Sequence, residues 1–104
     1  MAVKSDIKQS EARILVYLSQ VSNLNKDVSS ISSKLQIDYG YTLRILEGMR
    51  YKKWVFKHKL GRKMFYDLEL NSPVDRAKSA LSNLDLQEVN EAIRQTKLME
   101  VNDG

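Results

Sequence analysis

Hydrophobic residues in the first quarter of the chain recur at helical spacing. After residue 13 they follow the order i, i+1, i+4 and i+7, at Ile14, Leu15, Leu18 and Val21. This spacing puts them on one face of a helix, so the pattern predicts an amphipathic helix from Glu11 to about Asn23. Ser10 is its expected N-cap, because a hydroxyl oxygen can accept a free backbone N–H of the first turn.

A serine-rich segment comes next. Ser29 or Ser30 can cap a short second helix that ends at Leu35, and Val28 before it is able to form a one- or two-residue strand. Serine is a poor interior helix former, because its hydroxyl competes for backbone hydrogen bonds. This helix is therefore expected to depend on packing. Residues 36–38 form a tight turn after it.

A longer third helix is predicted over about residues 38–52, with Asp38 as its N-cap. On a 3.6-residue period the inward face carries Thr42, Ile45, Leu46 and Met49. The outward face carries Gly40, Arg44, Glu47 and Tyr51. Gly48 lies inside this helix, where glycine costs about 1 kcal/mol relative to alanine, and is interpreted as a point of close approach to another helix.

The period changes to two over residues 54–70. Two runs rich in aromatic and β-branched residues, Trp54-Val55-Phe56 and Met64-Phe65-Tyr66, flank the turn Leu60-Gly61-Arg62. This pattern predicts a β-hairpin. Aromatic residues in a small hairpin usually pack into the core. The alternative is a platform on which the bases of a single strand stack.

The last part of the chain returns to helical spacing. Ser72 is the expected N-cap and Pro73 the first position of a helix that runs to about Leu84, and Asp85 with Glu88 repeats the capping signal. The sequence therefore predicts one bent helix or two helices. The expected organisation is an arm over residues 1–9, a domain over residues 10–70 and a helical segment over residues 71–104.

Positive charge is concentrated in one segment. The chain has 104 residues and a formal net charge of +4. Residues 44–63 contain eight Lys or Arg and a single acid, Glu47, whereas residues 67–104 contain four Lys or Arg and eight acids. A basic field confined to one helix and one hairpin suits a polyanion.

Composition argues against several classes of function. The chain has no cysteine and one histidine, His58, so neither a disulfide, a thiolate metal site nor a histidine-rich metal site is expected. Glycines are isolated, so no phosphate-binding loop is expected, and no Ser/His/Asp or Cys/His set can be assembled. We expect a protein that is not an enzyme and has no cofactor or metal. With a polar N-terminus and no apolar run of ~20 residues, it is expected to be cytoplasmic.

Three helices followed by a charged hairpin resemble the winged helix-turn-helix domain. The resemblance is to small archaeal and bacterial transcription regulators of the MarR, ArsR and PadR type. It is carried by Ser10-Glu11, Ser30-Ile31, Ile37, Thr42, Ile45, Met49, Trp54-Val55, Gly61-Arg62-Lys63, Phe65-Tyr66 and Leu68. The implied fold is mainly α, with the hairpin as a wing and one or more C-terminal helices. Lys53 departs from the family pattern, since a glycine usually stands there.

The resemblance implies a sequence-specific regulator that binds double-stranded DNA, with the helix over residues 38–52 in the major groove and the wing over residues 54–70 on the phosphate backbone. Arg44 is the expected base contact, because a guanidinium can bind guanine O6 and N7 together. The full set of expected DNA-binding residues is Ser29, Ser30, Tyr39, Gly40, Tyr41, Arg44, Arg50, Tyr51, Lys57, Lys59, Arg62 and Lys63. Two alternatives stay open: a winged helix used for protein–protein assembly, and a sequence-neutral architectural DNA-binding protein.

The apolar stripe of the last segment looks too extensive for one small chain to cover, and in the family the helix after the wing commonly pairs with its twofold mate. A homodimer is therefore expected, which would place two recognition helices ~34 Å apart. Its expected interface residues are Val74, Ala77, Leu81, Leu84, Val89 and Ile93. The alternative is that these residues fold back onto the first helix of the same chain.

Overall fold

The computed structural model describes residues 7–102, with side chains described as far as residue 100. Five α-helices and one antiparallel hairpin make up this part of the chain. In order they are α1 (Gln9–Leu18), α2 (Val28–Leu35), α3 (Tyr39–Tyr51), β1 (Val55–Leu60), β2 (Lys63–Leu68), α4 (Val74–Ala80) and α5 (Asn83–Asn102), with a 3₁₀ turn at Asn23–Asn25. The order of three helices, a hairpin and two further helices confirms the predicted fold class, a mainly α winged helix with C-terminal helices.

Helix α1 lies at the centre of the core. Its side chains from Ile14 to Leu18 are all buried, and the helix contacts α2, α3, α4, α5 and β2. Burial on every side explains why its apolar residues extend beyond a single stripe. The predicted bounds were wrong at both ends. The helix begins at Gln9, where Glu11 accepts the backbone N–H of Lys8 at 2.9 Å, and it ends at Leu18.

The start of α2 is set by Asp27, which corrects the expected cap at Ser29 or Ser30. The Asp27 carboxylate accepts the backbone N–H of Ser30 at 3.3 Å. The expected short strand falls here rather than at Val28, since Asp27 forms an isolated antiparallel bridge with Phe65. This loop thereby ties the beginning of α2 to the wing.

The turn between α2 and α3 has the geometry of a helix-turn-helix corner. Gln36 adopts a left-handed conformation with φ 57°, and the backbone N–H of Ile37 donates to the carbonyl of Ser32 at 2.9 Å. This is the Schellman arrangement, which satisfies free carbonyls at a helix end. Asp38 then caps α3, as predicted, by accepting the backbone N–H of Tyr41 at 3.0 Å.

Helix α3 buries the face that its sequence predicts: Thr42, Ile45, Leu46 and Met49 are all buried. Gly48 does not mark a close approach, because a Cβ added there would meet no atom within 4 Å. The helix ends in a second Schellman arrangement, in which Trp54 donates its backbone N–H to Met49 at 2.9 Å. Lys53 takes the left-handed position with φ 64°, which explains why glycine is usual there in the family.

The wing, defined as β1, β2 and their turn, pairs from Val55 with Leu68 to Leu60 with Lys63. Gly61 has φ 63°, which fits the first position of a two-residue hairpin turn. Of the aromatic residues, Phe65 and Tyr66 are buried, as the core interpretation expects. Phe56 is partly exposed, and it lies beside His58, whose ring stacks on Phe65 with centroids 5.5 Å apart.

Two separate helices follow the wing. The expected Ser72 cap was wrong: α4 begins at Val74, and the Ser72 hydroxyl, which is buried, has no hydrogen-bond partner. Helix α4 ends at Ala80 rather than near Leu84, because Leu81 is extended with ψ 139°. The Ser82 hydroxyl then accepts the backbone N–H of Asp85 at 3.2 Å and caps α5.

Helices α4 and α5 fold back on α1 within one chain, and α5 also contacts α2. This packing involves most residues of the expected dimer interface, which stays a prediction. Of its six residues, Ala77, Leu81, Val89 and Ile93 are buried in the single chain, Val74 is half-buried, and Leu84 is 67% exposed. The apolar stripe is therefore mostly buried within the single chain. Within residues 7–102, no helix combines the length and apolar character needed to cross a membrane.

Candidate nucleic-acid interface

The outward face of α3 presents an unpaired cation flanked by exposed tyrosines. Arg44 is exposed, and within the described part of the chain its side chain forms no ion pair or hydrogen bond. Tyr39 and Tyr41 lie in the first turn and are about half exposed, and Tyr51 at the last residue is 89% exposed. Buried neighbours on the opposite face, Ile45 among them, hold this surface outward. An arginine so placed is able to reach into a groove.

The wing contributes further free cations. Lys59, Arg62 and Lys63 are exposed at and beside the hairpin turn, and among residues 7–100 none of them has an ion pair. Lys57 differs, because its ammonium lies 3.3 Å from a carboxylate oxygen of Glu47. The wing therefore carries one cation engaged with α3 and three cations available to an outside partner.

A cleft of about 440 Å³ separates α3 from the wing, and we call it the wing cleft. Its residues come from the start of α2, one side of α3 and the wing: Asp27, Val28, Ser29, Tyr39, Leu43, Glu47, Lys57, Arg62, Lys63, Met64 and Tyr66. It brings together five of the sequence-predicted DNA-binding residues: Ser29, Tyr39, Lys57, Arg62 and Lys63. Gly40, Tyr41, Arg44, Tyr51 and Lys59 lie outside it, on α3 or the wing.

Glu47, the only acid of the basic segment, is neutralised by its own neighbours. Its carboxylate accepts three hydrogen bonds from the Arg50 guanidinium, the shortest at 2.7 Å, and a further hydrogen bond from the buried Tyr66 hydroxyl. The Arg50 hydrogen bond, followed by the Tyr66 hydrogen bond, lowers the pKa of Glu47 to about 2. Within residues 44–63 the basic surface is thus not interrupted by a free negative charge.

This network changes the role expected of Arg50. Its guanidinium is held by Glu47 through both Nε and a terminal nitrogen, whereas Arg44, two turns nearer the N-terminus, is free. Ser30 is also engaged, since its backbone N–H donates to Asp27. Neither residue lines the wing cleft.

Other cations of the segment serve the fold. Lys52 forms an ion pair with the buried Glu11 at 3.0 Å and lies 4.4 Å from the centre of the Trp54 ring. Lys53, which was not among the expected DNA-binding residues, is exposed and has no ion pair in the described chain. The position of Lys53 within the charged run is the sequence signal that could have identified it as a candidate DNA contact. Its left-handed backbone places it in the turn after α3 rather than on the helix.

A second cleft, of about 670 Å³, lies on another side of the molecule between α1, α2 and α5. Its charged lining is mixed, with Arg13 and Lys34 facing Glu88 and Glu91. A mixed lining does not suit a polyanion. Among the described residues, no group of three or more His, Cys, Asp or Glu side chains is placed to hold a metal ion.

No family model and no curated protein matches the chain. Solved structures of ZitR from Lactococcus lactis do match the chain. Two ZitR variants align with all of this chain and with 64% and 68% of theirs, at 15% and 16% identity and TM-scores of 0.58 and 0.54. Wild-type ZitR in complex with DNA aligns with 98% of this chain and 64% of its own, at 17% identity and a TM-score of 0.51. The chain therefore spans about two thirds of the ZitR chain, and at this identity the likeness establishes that the two share a fold.

Proposed function

We propose that this protein binds double-stranded DNA and acts as a transcription regulator of the winged helix-turn-helix type. In the proposed complex the N-terminal half of α3 enters the major groove and the wing lies along the phosphate backbone. The observation that carries the proposal is the set of free cations on these two elements, Arg44, Lys59, Arg62 and Lys63, together with the pairing of Glu47, the acid of the same segment, by its own neighbours.

The arrangement of charge supports this proposal over a general basic surface. Cations elsewhere on the described chain are often paired: Lys26 lies 2.8 Å from Asp67, and Arg94 lies 2.6 Å from Glu91. Unpaired cations on one helix and one hairpin can displace the counterions that are condensed on DNA phosphates, and the release of those counterions drives association. ZitR, which shares the fold, has been solved with DNA bound, and this adds to the support.

The roles within the proposed interface follow from position. Arg44 lies in the first half of α3, the part of a recognition helix that reaches base edges, and its guanidinium can bind guanine O6 and N7. Tyr39, Gly40 and Tyr41 lie in the first turn, close to the backbone of the groove. Lys59, Arg62 and Lys63 would contact phosphates, which fixes the orientation of the protein without reading sequence.

A salt titration on DNA duplexes tests the proposal. We expect tight binding to a duplex from the region upstream of the protein's own reading frame, weaker binding to an unrelated duplex, and a loss of affinity as salt rises. Equal affinity for both duplexes with a steep salt dependence would instead support a sequence-neutral architectural protein. The absence of binding to either duplex at low salt would contradict the proposal and favour an assembly module.

The proposal includes a homodimer on a pseudo-palindromic site. Because most of the α5 stripe is buried in one chain, a dimer would use the apolar side chains that stay exposed on α5, which are Leu84, Leu98 and Met99. Leu84 and Leu98 are two heptads apart and therefore lie on the same side of the helix. Twofold pairing through this side would present two copies of α3 to the DNA.

A further inference from the structure

Glu47 receives hydrogen bonds or ion pairs from three elements. Arg50 comes from the next turn of α3, Lys57 from β1 and Tyr66 from β2. Lys57 and Tyr66 are directly opposite each other in the hairpin register, so both project from the same face of the wing. A single carboxylate on α3 therefore contacts both strands of the wing at the same level.

Few other polar contacts join α3 to the wing. The backbone N–H of Trp54 donates to Met49 where the chain leaves α3. On the side of α2, β2 is held by the Asp27 bridge, by the backbone N–H of Tyr66 that donates to Lys26, and by the ion pair between Lys26 and Asp67. Beyond these contacts, the wing cleft separates the outer part of the wing from α3. Glu47 lies on the wall of this cleft, where it can control how far the wing leans from the helix.

We infer that Glu47 is a positioning residue for DNA binding, which fixes the wing relative to α3 through Tyr66 and Lys57. The inference rests on the proposed function. The spacing between Arg44 on α3 and the wing cations Lys59, Arg62 and Lys63 has to match the spacing between groove floor and phosphates. A wing that can lean would lose the benefit of several phosphate contacts made at once.

The hydrogen bond between Tyr66 and Glu47 is maintained at any pH near neutrality. Burial, followed by the neighbouring Glu47, raises the pKa of Tyr66 above its ordinary value, so its hydroxyl stays protonated and can donate. Glu47, with a pKa of about 2, stays ionised and can accept. The wing is therefore held in the same way at any pH near neutrality.

A positioning role and a simple charge effect predict opposite results for Glu47→Gln. Removing a negative charge near DNA should by itself tighten binding. Loss of the wing contact should weaken it, and we expect Kd to rise by roughly tenfold, within the range typical of coupling between separate sites of one protein. Anisotropy titrations on the tightest-binding duplex measure the change.

Glu91→Gln is the matched control. Glu91 also pairs with an arginine three residues later, Arg94 at 2.6 Å, but on the exposed side of α5. The two variants therefore lose the same charge and the same type of pair, and only Glu47→Gln loses contact with the wing. Tyr66→Phe is a second variant, which removes the hydroxyl without changing net charge, and it should also raise Kd.

A second readout requires no DNA. The chain has no cysteine, so Gly48→Cys on α3 and Leu60→Cys at the wing turn can carry two spin labels without other changes. Gly48 has open space around an added Cβ, and Leu60 is exposed. We expect one narrow label–label distance distribution in the parent and a broader or shifted one with Glu47→Gln or Tyr66→Phe.

The two readouts separate failure of this inference from failure of the proposed function. A parent protein that binds no duplex contradicts the DNA proposal, and the label distances then still report on the wing. A Glu47→Gln protein that binds DNA as tightly as Glu91→Gln overturns the inference. An unchanged distance distribution in Glu47→Gln overturns it as well.

Discussion

Arg44 and Lys59 are both exposed and unpaired in the described chain, yet they sit on elements with different relations to DNA. Arg44 is on the outward face of α3, and Lys59 is one residue before the end of β1. In the proposed complex the first contacts a base edge and the second a phosphate. Arg44 should therefore determine sequence specificity, whereas Lys59 should contribute affinity for every sequence.

Replacement of each by alanine tests that separation. Arg44→Ala should reduce the preference for the tight-binding duplex by roughly 1–3 kcal/mol, the range for a bidentate base contact. Lys59→Ala should weaken binding to all duplexes alike and lower the slope of log affinity against log salt by about 1. Anisotropy titrations on two duplexes at several salt concentrations measure both effects.

Lys78→Ala is a suitable control, because Lys78 is exposed on α4 and its loss removes the same unit of charge away from α3 and the wing. It should change neither preference nor slope. An Arg44→Ala protein that loses affinity evenly across sequences would show that Arg44 contacts the backbone instead of a base.

Glu47 should also affect stability in acid. The pKa of Glu47 is about 2 in the folded state and ordinarily 4.5. Between these two pH values, the carboxyl is therefore more often protonated in the unfolded chain than in the folded protein. The contribution to stability is full above pH 4.5 and is lost as the pH falls toward 2. Because the side chain is about a third exposed, the contribution should be about 1 kcal/mol or less.

Urea denaturation of the parent and of Glu47→Gln at a series of pH values measures this contribution. The parent should have the higher free energy of unfolding at pH 6, and the difference should shrink toward pH 2. A difference that stays constant over this range would mean that Glu47 is not held as described.

At the scale of elements, the ends of α2 and α3 show how the corner is built. Both helices end in a Schellman arrangement, and in each the left-handed residue is not glycine: Gln36 has φ 57° and Lys53 has φ 64°. A residue with a Cβ pays about 1–2 kcal/mol in this conformation. The protein therefore has an unfavourable backbone conformation at the C-terminal ends of both α2 and α3.

Lys53→Gly should therefore raise the free energy of unfolding by up to about 1 kcal/mol, since glycine adopts positive φ without the clash but loses more entropy on folding. Thermal and urea denaturation measure the change. Gln36→Gly should also raise the free energy of unfolding. Gly61→Ala should lower it, because Gly61 has φ 63°. A destabilised Lys53→Gly protein would mean that the lysine side chain itself supports the turn.

Local signals were reliable for the helix faces and less so for the caps. Asp38 was predicted correctly because no other polar side chain competes beside it. At the start of α2, Asp27, Ser29 and Ser30 can all act as caps, and such contacts differ by less than about 1 kcal/mol. In the structure Asp27 is the cap, and Asp27 also forms the bridge to Phe65 in the wing. A contact distant in sequence thus decided a local boundary.

At the scale of the whole molecule, α5 has two sides with different roles. Its inner side, with Val89 and Ile93, closes the core over α1. Near its C-terminal end, Glu100 accepts the backbone N–H of Ser22 at 3.0 Å and the side-chain amide of Asn25 at 2.7 Å, which holds the helix to the loop after α1. The outer side keeps Leu84 and Leu98 exposed, so self-association, if it uses α5, involves that side.

Leu84→Glu combined with Leu98→Glu tests the proposed dimer. Placing two carboxylates on the outer side of α5 should reduce the mass measured by light scattering to that of one chain of 12.0 kDa, while the circular dichroism spectrum stays helical. Leu60→Glu, an exposed leucine in the wing, is the control and should leave the mass unchanged. A folded double variant with the parent mass would exclude this surface as the interface.

Substitution of Leu81 would not test the same surface. Leu81 is buried between α4 and α5, so Leu81→Glu should unfold the chain by leaving a carboxylate without a partner in the core. Leu81 was expected at a dimer interface, with folding back onto the first helix as the alternative, and in the single chain it is buried. Helical spacing identifies an apolar face but does not say which surface covers it.

The sequence by itself determined the mainly α winged fold, the buried face of α3, the Asp38 cap, the hairpin turn and the localisation of positive charge, because these depend on residue spacing and neighbours within a few positions. Only the tertiary structure decided that α4 and α5 close over α1, that Asp27, which bridges to Phe65, caps α2, and that Glu47 takes Tyr66 and Lys57 of the wing as partners. Each of these outcomes rests on contacts between segments far apart in the chain, where several partners are chemically equivalent and only packing selects among them.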